Sequence, residues 1–278
     1  MLNKKDIVLG AVCFEEYASG YLEFLHLAEK LGLHWVEFKF EDPLAFRSSS
    51  RQYSRIRETA DACNIGLSMH TSFVGLNIAS LDRAKRAASL RQVEESLLAA
   101  AEMGIKLATV HSGSLPAGDY SELNWENSRV YNIESLNSLL TFASLHGISL
   151  CLENGNAYKK AQLKHALHPG SMKEIADTVE GKLNFTVDFG HGIYMSKDPS
   201  YLVSELGTAN VKLSHLHSNN GLEDSHSPLN SGVLELEKIL LRYIREGWTM
   251  PLSIEMKNEA DLQNSVDYVN ETINMLGI

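Results

Sequence analysis

Cysteine and proline are scarce in this chain, three and six among 278 residues. Cys13, Cys63 and Cys151 lie far apart, in or beside apolar runs, and form no CxxC pair. That pattern excludes a disulfide framework and a cysteine-type zinc site, and reads as reduced core residues of a cytoplasmic protein. No apolar stretch approaches the roughly 20 residues a bilayer crossing needs, so no membrane partner is expected. Met1-Leu2-Asn3-Lys4-Lys5-Asp6 is not the start of a secretory signal. A phosphate-cradling glycine loop is also missing. Cys13-Phe14-Glu15-Glu16 follows the first apolar run and offers neither GxGxxG nor a Walker A motif. Basic residues are the minority, 25 against 35 acids for a net charge of −10. That balance argues against nucleic acid as the main partner. An acid excess also suits a protein whose carboxylates neutralise bound cations.

What is present is an alternation. Short β-branched runs cover residues 7–14, 35–40, 66–70, 107–111, 148–153, 184–188, 211–217 and 252–256. Between them, apolar residues recur at helical spacing over 21–31, 53–62, 81–103, 130–146 and 234–246. Ser171 and Asn258 stand as caps before helices over 172–179 and 259–275. Gly32, Gly104, Gly147 and Gly247 end helices in the manner of a C-terminal glycine. Eight strands, each followed by a helix, make the α/β pattern of a (β/α)8 TIM barrel, here one domain over residues 1–278. A doubly wound open sheet would need fewer strands and a glycine-rich loop after the first. With 44% hydrophobic residues such a chain buries a core without staples, so a metal would serve chemistry rather than folding.

Strand ends carry the chemistry in such a barrel. The third and fourth runs end in His70 and His111, the fifth in Glu153, and the sixth in Asp188 with His191 three residues on. The seventh ends in His215 and His217, which share a face, and the loop after it holds Asp224 and His226. The eighth ends at Glu255. A lone strand-end histidine is usually a hydrogen-bonded core residue, and a lone glutamate an ion-pair partner. Glu153, Asp188, His215 and Glu255 on four successive strands are a different matter. Uncompensated, that many converging carboxylates and imidazoles would repel and lose hydration. Imidazole plus carboxylate suits zinc, manganese, iron or cobalt. We expect one to three divalent metal ions per chain, zinc or manganese, with Glu153 able to bridge two. His217 reads as an outer donor or substrate contact. His26, His34, His146, His165 and His168 lie away from this rim.

These motifs resemble the xylose isomerase-like barrel superfamily, over nearly the whole chain. It contains sugar and sugar-phosphate isomerases and epimerases, and endonuclease IV. The epimerase pattern of one metal on Glu, Asp, His and Glu is matched by Leu152-Glu153-Asn154-Gly155, Val187-Asp188-Phe189-Gly190-His191, His215-Leu216-His217-Ser218 and Ser253-Ile254-Glu255. By that resemblance Glu153 and Glu255 move protons and His191 contacts substrate. The endonuclease IV pattern of three zinc ions is matched too. It implies one ion on His70, His111 and Glu153, a second on Glu153, Asp188, His215 and Glu255, and a third on His191, Asp224 and His226. Trp35-Val36-Glu37-Phe38 looks like the Val-Glu strand of the sugar isomerases, which makes Glu37 a substrate contact. Arg47 and Arg51 are placed to grip a phosphate. Two features depart from the relatives. Ala11-Val12-Cys13-Phe14-Glu15 replaces the His-Ser and Gly-Gly element of endonuclease IV, and no arginine stands near Asp224 as it does in single-metal epimerases.

The resemblance thus implies a metal-dependent isomerase or epimerase acting on a sugar, sugar phosphate or related polyol. Its alternative is a trinuclear zinc phosphodiesterase acting on abasic DNA. No feature of the sequence fixes an oligomeric state.

Overall fold

A computed structural model describes residues 7–14, 20–41, 50–158 and 160–278. Each expected strand is present: β1 (Leu9–Cys13), β2 (Trp35–Lys39), β3 (Gly66–His70), β4 (Leu107–Val110), β6 (Ser149–Glu153), β8 (Asn184–Asp188), β9 (Val211–Leu216) and β10 (Leu252–Ile254). They pair in parallel in the ring β1-β10-β9-β8-β6-β4-β3-β2, which closes through Leu9 opposite Leu252. Strands buried on both faces read as continuous apolar runs, which is why they stand out in the sequence. Two further strands were not foreseen: β5 (Ser114–Pro116) and β7 (Gln162–Lys164) pair antiparallel and join the loops after β4 and β6.

The outer layer holds α1 (Gly20–Lys30), α2 (Ser50–Ala62), α3 (Arg83–Glu102), α4 (Glu122–Leu145), α5 (Pro169–Thr178), the single turn α6 (Phe189–Gly192), α7 (Tyr201–Leu206), α8 (Leu236–Arg245) and α9 (Glu259–Leu276). In α8 the buried residues Leu236, Ile239, Leu240, Tyr243 and Ile244 repeat at three and one, a single apolar stripe against the barrel. Asn258 caps α9 as expected, accepting from the Asp261 N–H.

Two helix starts differ from the sequence expectation. For α5 the cap is His168, not Ser171. The His168 ring accepts from the Ser171 N–H while the Ser171 hydroxyl accepts from the His168 N–H. Pro169 then occupies the first helical position, where its missing N–H costs nothing. Helix α4 begins eight residues before Val130, at Glu122, capped by Ser121. Its inner face there carries small polar residues. Ser128 donates to the Ala79 carbonyl, Ser135 to the Ile78 carbonyl, and the Asn132 amide oxygen accepts from the Gly113 N–H. A helix that packs on loop backbone shows no apolar period. These bonds fix the loops after β3 and β4 at the barrel mouth.

Candidate metal centre

The strand ends bring the expected side chains to one rim, and local bonds aim them. Asp188 ends β8 and caps α6, accepting from the His191 N–H at 2.7 Å. That bond folds His191 back over Asp188. Asn154, next after Glu153, exchanges two hydrogen bonds with the Asp188 backbone, tying β6 to β8. Beyond β9 the chain doubles back through a two-bond bridge between Ser218 and Ser227, which holds Asp224 and His226 over the barrel. His226 sits at φ 47, a left-handed conformation uncommon outside glycine and typical of functional sites. Gly190 lets His217 approach: a Cβ there would fall 2.0 Å from the imidazole.

Glu153 is the hub. Its Oε2 lies 2.7 Å from His111 Nε2 and 3.3 Å from His70 Nε2, and its Oε1 lies 3.3 Å from His191 Nδ1 and 3.5 Å from His215 Nδ1. Asp188 reaches His191 Nδ1 at 3.2 Å, His217 Nε2 at 3.2 Å and His215 Nδ1 at 3.8 Å. Glu255 reaches His226 Nδ1 at 3.2 Å and His215 Nδ1 at 3.8 Å. Asp224 meets His191 Nε2 at 3.4 Å and His226 Nε2 at 3.6 Å. Four sets have donor atoms mutually within 4.8 Å: His70, His111 and Glu153; Glu153, Asp188 and His191; Asp188, His215 and Glu255; and His191, His217, Asp224 and His226.

Apart from a 3.3 Å hydrogen bond between His70 Nε2 and Glu153 Oε2, most donor atoms face one another without bonding. Six buried atoms of this cluster have no hydrogen-bond partner: His111 Nε2, Asp188 Oδ2, His215 Nδ1, His217 Nε2, Asp224 Oδ1 and His226 Nδ1. Only three other side-chain atoms among the described residues share that state. Buried polar atoms left unpaired cost about 1–3 kcal/mol each, so a concentration of six makes this rim a candidate binding site. The opposite ring nitrogens are taken. His70 Nδ1 faces the Thr71 carbonyl and His217 Nδ1 the Ser218 carbonyl. A carbonyl only accepts, so those nitrogens carry the protons and the Nε2 lone pairs point inward. This is the arrangement of metal-binding histidines.

Charge tells the same story. Burial pushes Glu153 upward, but His111 and His215 hold it well below the usual carboxylate range. Burial likewise opposes ionisation of Glu255, and His215, His226 and Lys39 bring it down to about 2. Burial lowers His191 and His215, yet the carboxylates around them raise both well above the ordinary imidazole value. Protons on these rings do what cations would do. His111 is the exception, held near 4 chiefly by burial and so neutral. The residues fit divalent cations in number, donor type and charge.

A cavity of about 350 Å³ opens above the cluster, lined by His70, His111, Glu153, His191, Asp224, His226 and Glu255. Of the described residues expected to contact substrate, His191 lines it, and Glu37, His217 and Arg51 do not. Both Glu37 and His217 are wholly buried: Glu37 bonds His215 inside the barrel, and His217 is covered by the stacked ring of His226. Arg47 falls outside the described residues. The wall instead offers Lys39, Lys85 and Lys164, which sequence reasoning missed. Lys39 is two residues beyond Glu37 on the same face, so strand alternation alone would have found it. Among the described residues, one further set of metal-type donors, His26, Glu29 and Cys63, lies apart on α1 and after α2, largely exposed.

The profile of the xylose isomerase-like TIM barrel family matches residues 25–276. The uncharacterized protein MJ1311 of Methanocaldococcus jannaschii is 26% identical over 235 residues, 82% of this chain and 77% of that protein. Among solved structures, a D-tagatose 3-epimerase-like protein superposes with a TM-score of 0.78 at 22% identity, over 88% of this chain and 90% of that one. The TTHB071 protein of Thermus thermophilus, solved after soaking with zinc chloride, superposes with a TM-score of 0.72 at 25% identity, over 97% and 99%.

Proposed function

The chain belongs to the xylose isomerase-like TIM barrel family, and on that premise we propose that it is a metal-dependent isomerase or epimerase of a sugar, sugar phosphate or related polyol. The observation that carries this reading is the convergence of unpaired, buried donor atoms of His, Asp and Glu beneath a cavity of sugar size. Ligand pockets run from about 300 Å³ upward, so this one suits a small molecule better than a duplex. Bound at His70, His111, Glu153, Asp188, His191, His215, Asp224, His226 and Glu255, divalent ions would polarise a substrate carbonyl and acidify the adjacent C–H.

The chain's own residues do the rest. Glu153 ends β6 and Glu255 follows β10, three steps away in the eight-stranded ring, so the two face the cavity from well-separated sides. Both are ionised and able to accept a proton from carbon. Glu255 is the freer base, since four histidine nitrogens lie within 3.5 Å of Glu153 and only His226 comes that near Glu255. His191, on the cavity wall, contacts substrate oxygen. Lys39, Lys85 and Lys164 around the mouth favour an anionic substrate, a sugar phosphate over a free sugar.

The His70–His111–Glu153 and His191–Asp224–His226 groupings favour a second reading. They are more than one ion needs, and they fit the hydroxide-generating two- or three-ion chemistry of an abasic-site phosphodiesterase. One experiment separates the two. The metal-loaded protein is incubated in heavy water with a panel of ketoses and their phosphates, and in parallel with an abasic-site oligonucleotide. Deuterium entering the carbon beside the carbonyl supports the isomerase. Strand cleavage without exchange on any sugar overturns it.

A further inference from the structure

Glu37 is a carboxylate the reaction does not use. It lies on β2 with no exposed surface, and both its oxygens are occupied. Oε1 is 2.9 Å from His215 Nε2, across the barrel interior. Oε2 accepts a 2.7 Å hydrogen bond from the Ser68 hydroxyl, its register partner on β3. Ser68 in turn accepts a 2.9 Å bond from the indole Nε1 of Trp35. The Trp35 ring lies against Gly66, where a Cβ would fall 2.3 Å away. Only glycine admits the ring there.

The direction of these bonds follows from donor chemistry. An indole nitrogen can only donate, so the Ser68 oxygen accepts from it. The single hydroxyl proton of Ser68 goes to Glu37. An ionised Glu37 has only lone pairs to offer, so His215 Nε2 carries the proton between them. Once His215 carries that proton alone, as a metal-bound ring does, its Nδ1 lone pair faces the cluster. That atom lies 3.5 Å from Glu153, 3.8 Å from Asp188 and 3.8 Å from Glu255, with no hydrogen-bond partner.

We infer that Glu37 is a positioning residue for the metal centre. Backed by Ser68 and Trp35, it fixes His215 in the Nε2–H tautomer and aims Nδ1 at the ion shared with Asp188 and Glu255. A carboxylate behind a ligating imidazole sets ring orientation and raises its basicity. The inference rests on the metal centre, and not on the reaction assigned to it.

The test uses full-length protein loaded with zinc, in wild type, Glu37→Gln, Glu37→Ala and Ser68→Ala forms. Zinc affinity is read by competition with a chromophoric chelator. The His215 tautomer is read by nitrogen-15 imidazole spectra, assigned by difference against His215→Asn. Melting of the chelator-stripped proteins reports the fold. Wild type should show zinc on Nδ1 and a proton on Nε2 of His215. The Glu37 variants should bind zinc about 10–100-fold more weakly, with the Nε2 proton signal altered, and Ser68→Ala should fall between. Should Glu37→Ala fail to fold, the isosteric Glu37→Gln and Ser68→Ala carry the test. Variants that bind zinc as tightly as wild type with unchanged His215 spectra overturn the inference. So does lower stability of the stripped protein at unchanged affinity, which would make Glu37 purely structural. Wild type that binds no zinc overturns it together with the metal centre.

Discussion

His111 Nε2 lies 2.7 Å from Glu153 Oε2, yet the two make no hydrogen bond. The distance is that of a strong charge-assisted contact, and His111 Nε2 has no hydrogen-bond partner. Two atoms pressed together without bonding are aimed at a third position between them. Glu153 also faces His70 on the same oxygen, where the two hydrogen-bond at 3.3 Å, and His191 and His215 on the other. Glu153 and Asp188 each belong to two donor sets, and Glu153 faces four imidazoles where Asp188 faces three.

Glu153→Gln should therefore do more damage than loss of any other single ligand. The amide is neutral and has only one oxygen to offer where two donor sets now draw on the carboxylate. Metal content by elemental analysis should fall by at least about one ion per chain, while the circular dichroism spectrum keeps its mixed helix and strand form. Wild-type metal content in this variant would remove Glu153 from the centre of the site.

A second prediction isolates the outer set. Asp224 and His226 ride on the loop closed by the Ser218–Ser227 bridge, not on a barrel strand. Asp224→Ala combined with His226→Ala should lose one ion and retain those held by the strand ends. The two changes share a set, so they should act as a unit rather than add. Unchanged stoichiometry would dismiss the loop as a metal-binding element and leave Asp224 as an ion-pair partner of His191.

Gly190→Ala probes the packing beneath that set. The new Cβ would meet three atoms of the His217 imidazole at 2.0 to 2.3 Å, and His217 is stacked on His226 with ring centroids 3.9 Å apart. Overpacking of this kind costs about 1–3 kcal/mol, or a few degrees of melting temperature for a domain of this size. Displacement of the stacked rings should lower metal affinity as well. A variant with wild-type melting and wild-type affinity would show that the floor yields without disturbing the site.

The sequence shows the barrel and most of the rim for one reason: both depend on residue type at a strand or its end. Buried parallel strands are apolar runs, and the ligand types recur where those runs stop. Three features depend on tertiary crossing and leave no local mark. Strands β5 and β7 are three residues each, one with a proline, too short for any periodicity. The first three turns of α4 bury Ser128 and Asn132 against loop backbone, so their inner face reads as polar chain. Glu37 looks like a rim residue in sequence because its strand ends only two residues later. Its partner His215 is 178 residues away, and only the closed ring brings them together.

His165 gives the last prediction, and its sign is set by burial. The residue is 5% exposed, its ring packs tilted against Trp125 with centroids 4.3 Å apart, and its Nε2 lies 2.9 Å from Ser128 Oγ. Ser128 spends its proton on the Ala79 carbonyl, so His165 Nε2 is the donor to Ser128 and the ring is neutral. Burial, with Arg129 adding to it, drives its pKa from 6.5 to about 4. Between those values the unfolded chain binds a proton that the folded chain refuses, so stability rises with pH across this window. It is fully present above pH 6.5 and lost as pH falls toward 4. The gap of about 2.5 in pKa corresponds to at most about 3.4 kcal/mol. The protonation of His191, His215 and His217 works in the opposite sense, so the comparison must cancel it. Urea unfolding of chelator-treated wild type and His165→Gln, taken from about pH 7 to about pH 4, does so. Gln keeps the N–H donor to Ser128 and cannot titrate. Wild type should lose stability relative to the variant as the pH drops, with the difference growing below about 6. Parallel curves would show that His165 is protonated as easily in the folded protein as outside it, and that the contacts with Trp125 and Ser128 tolerate the charge.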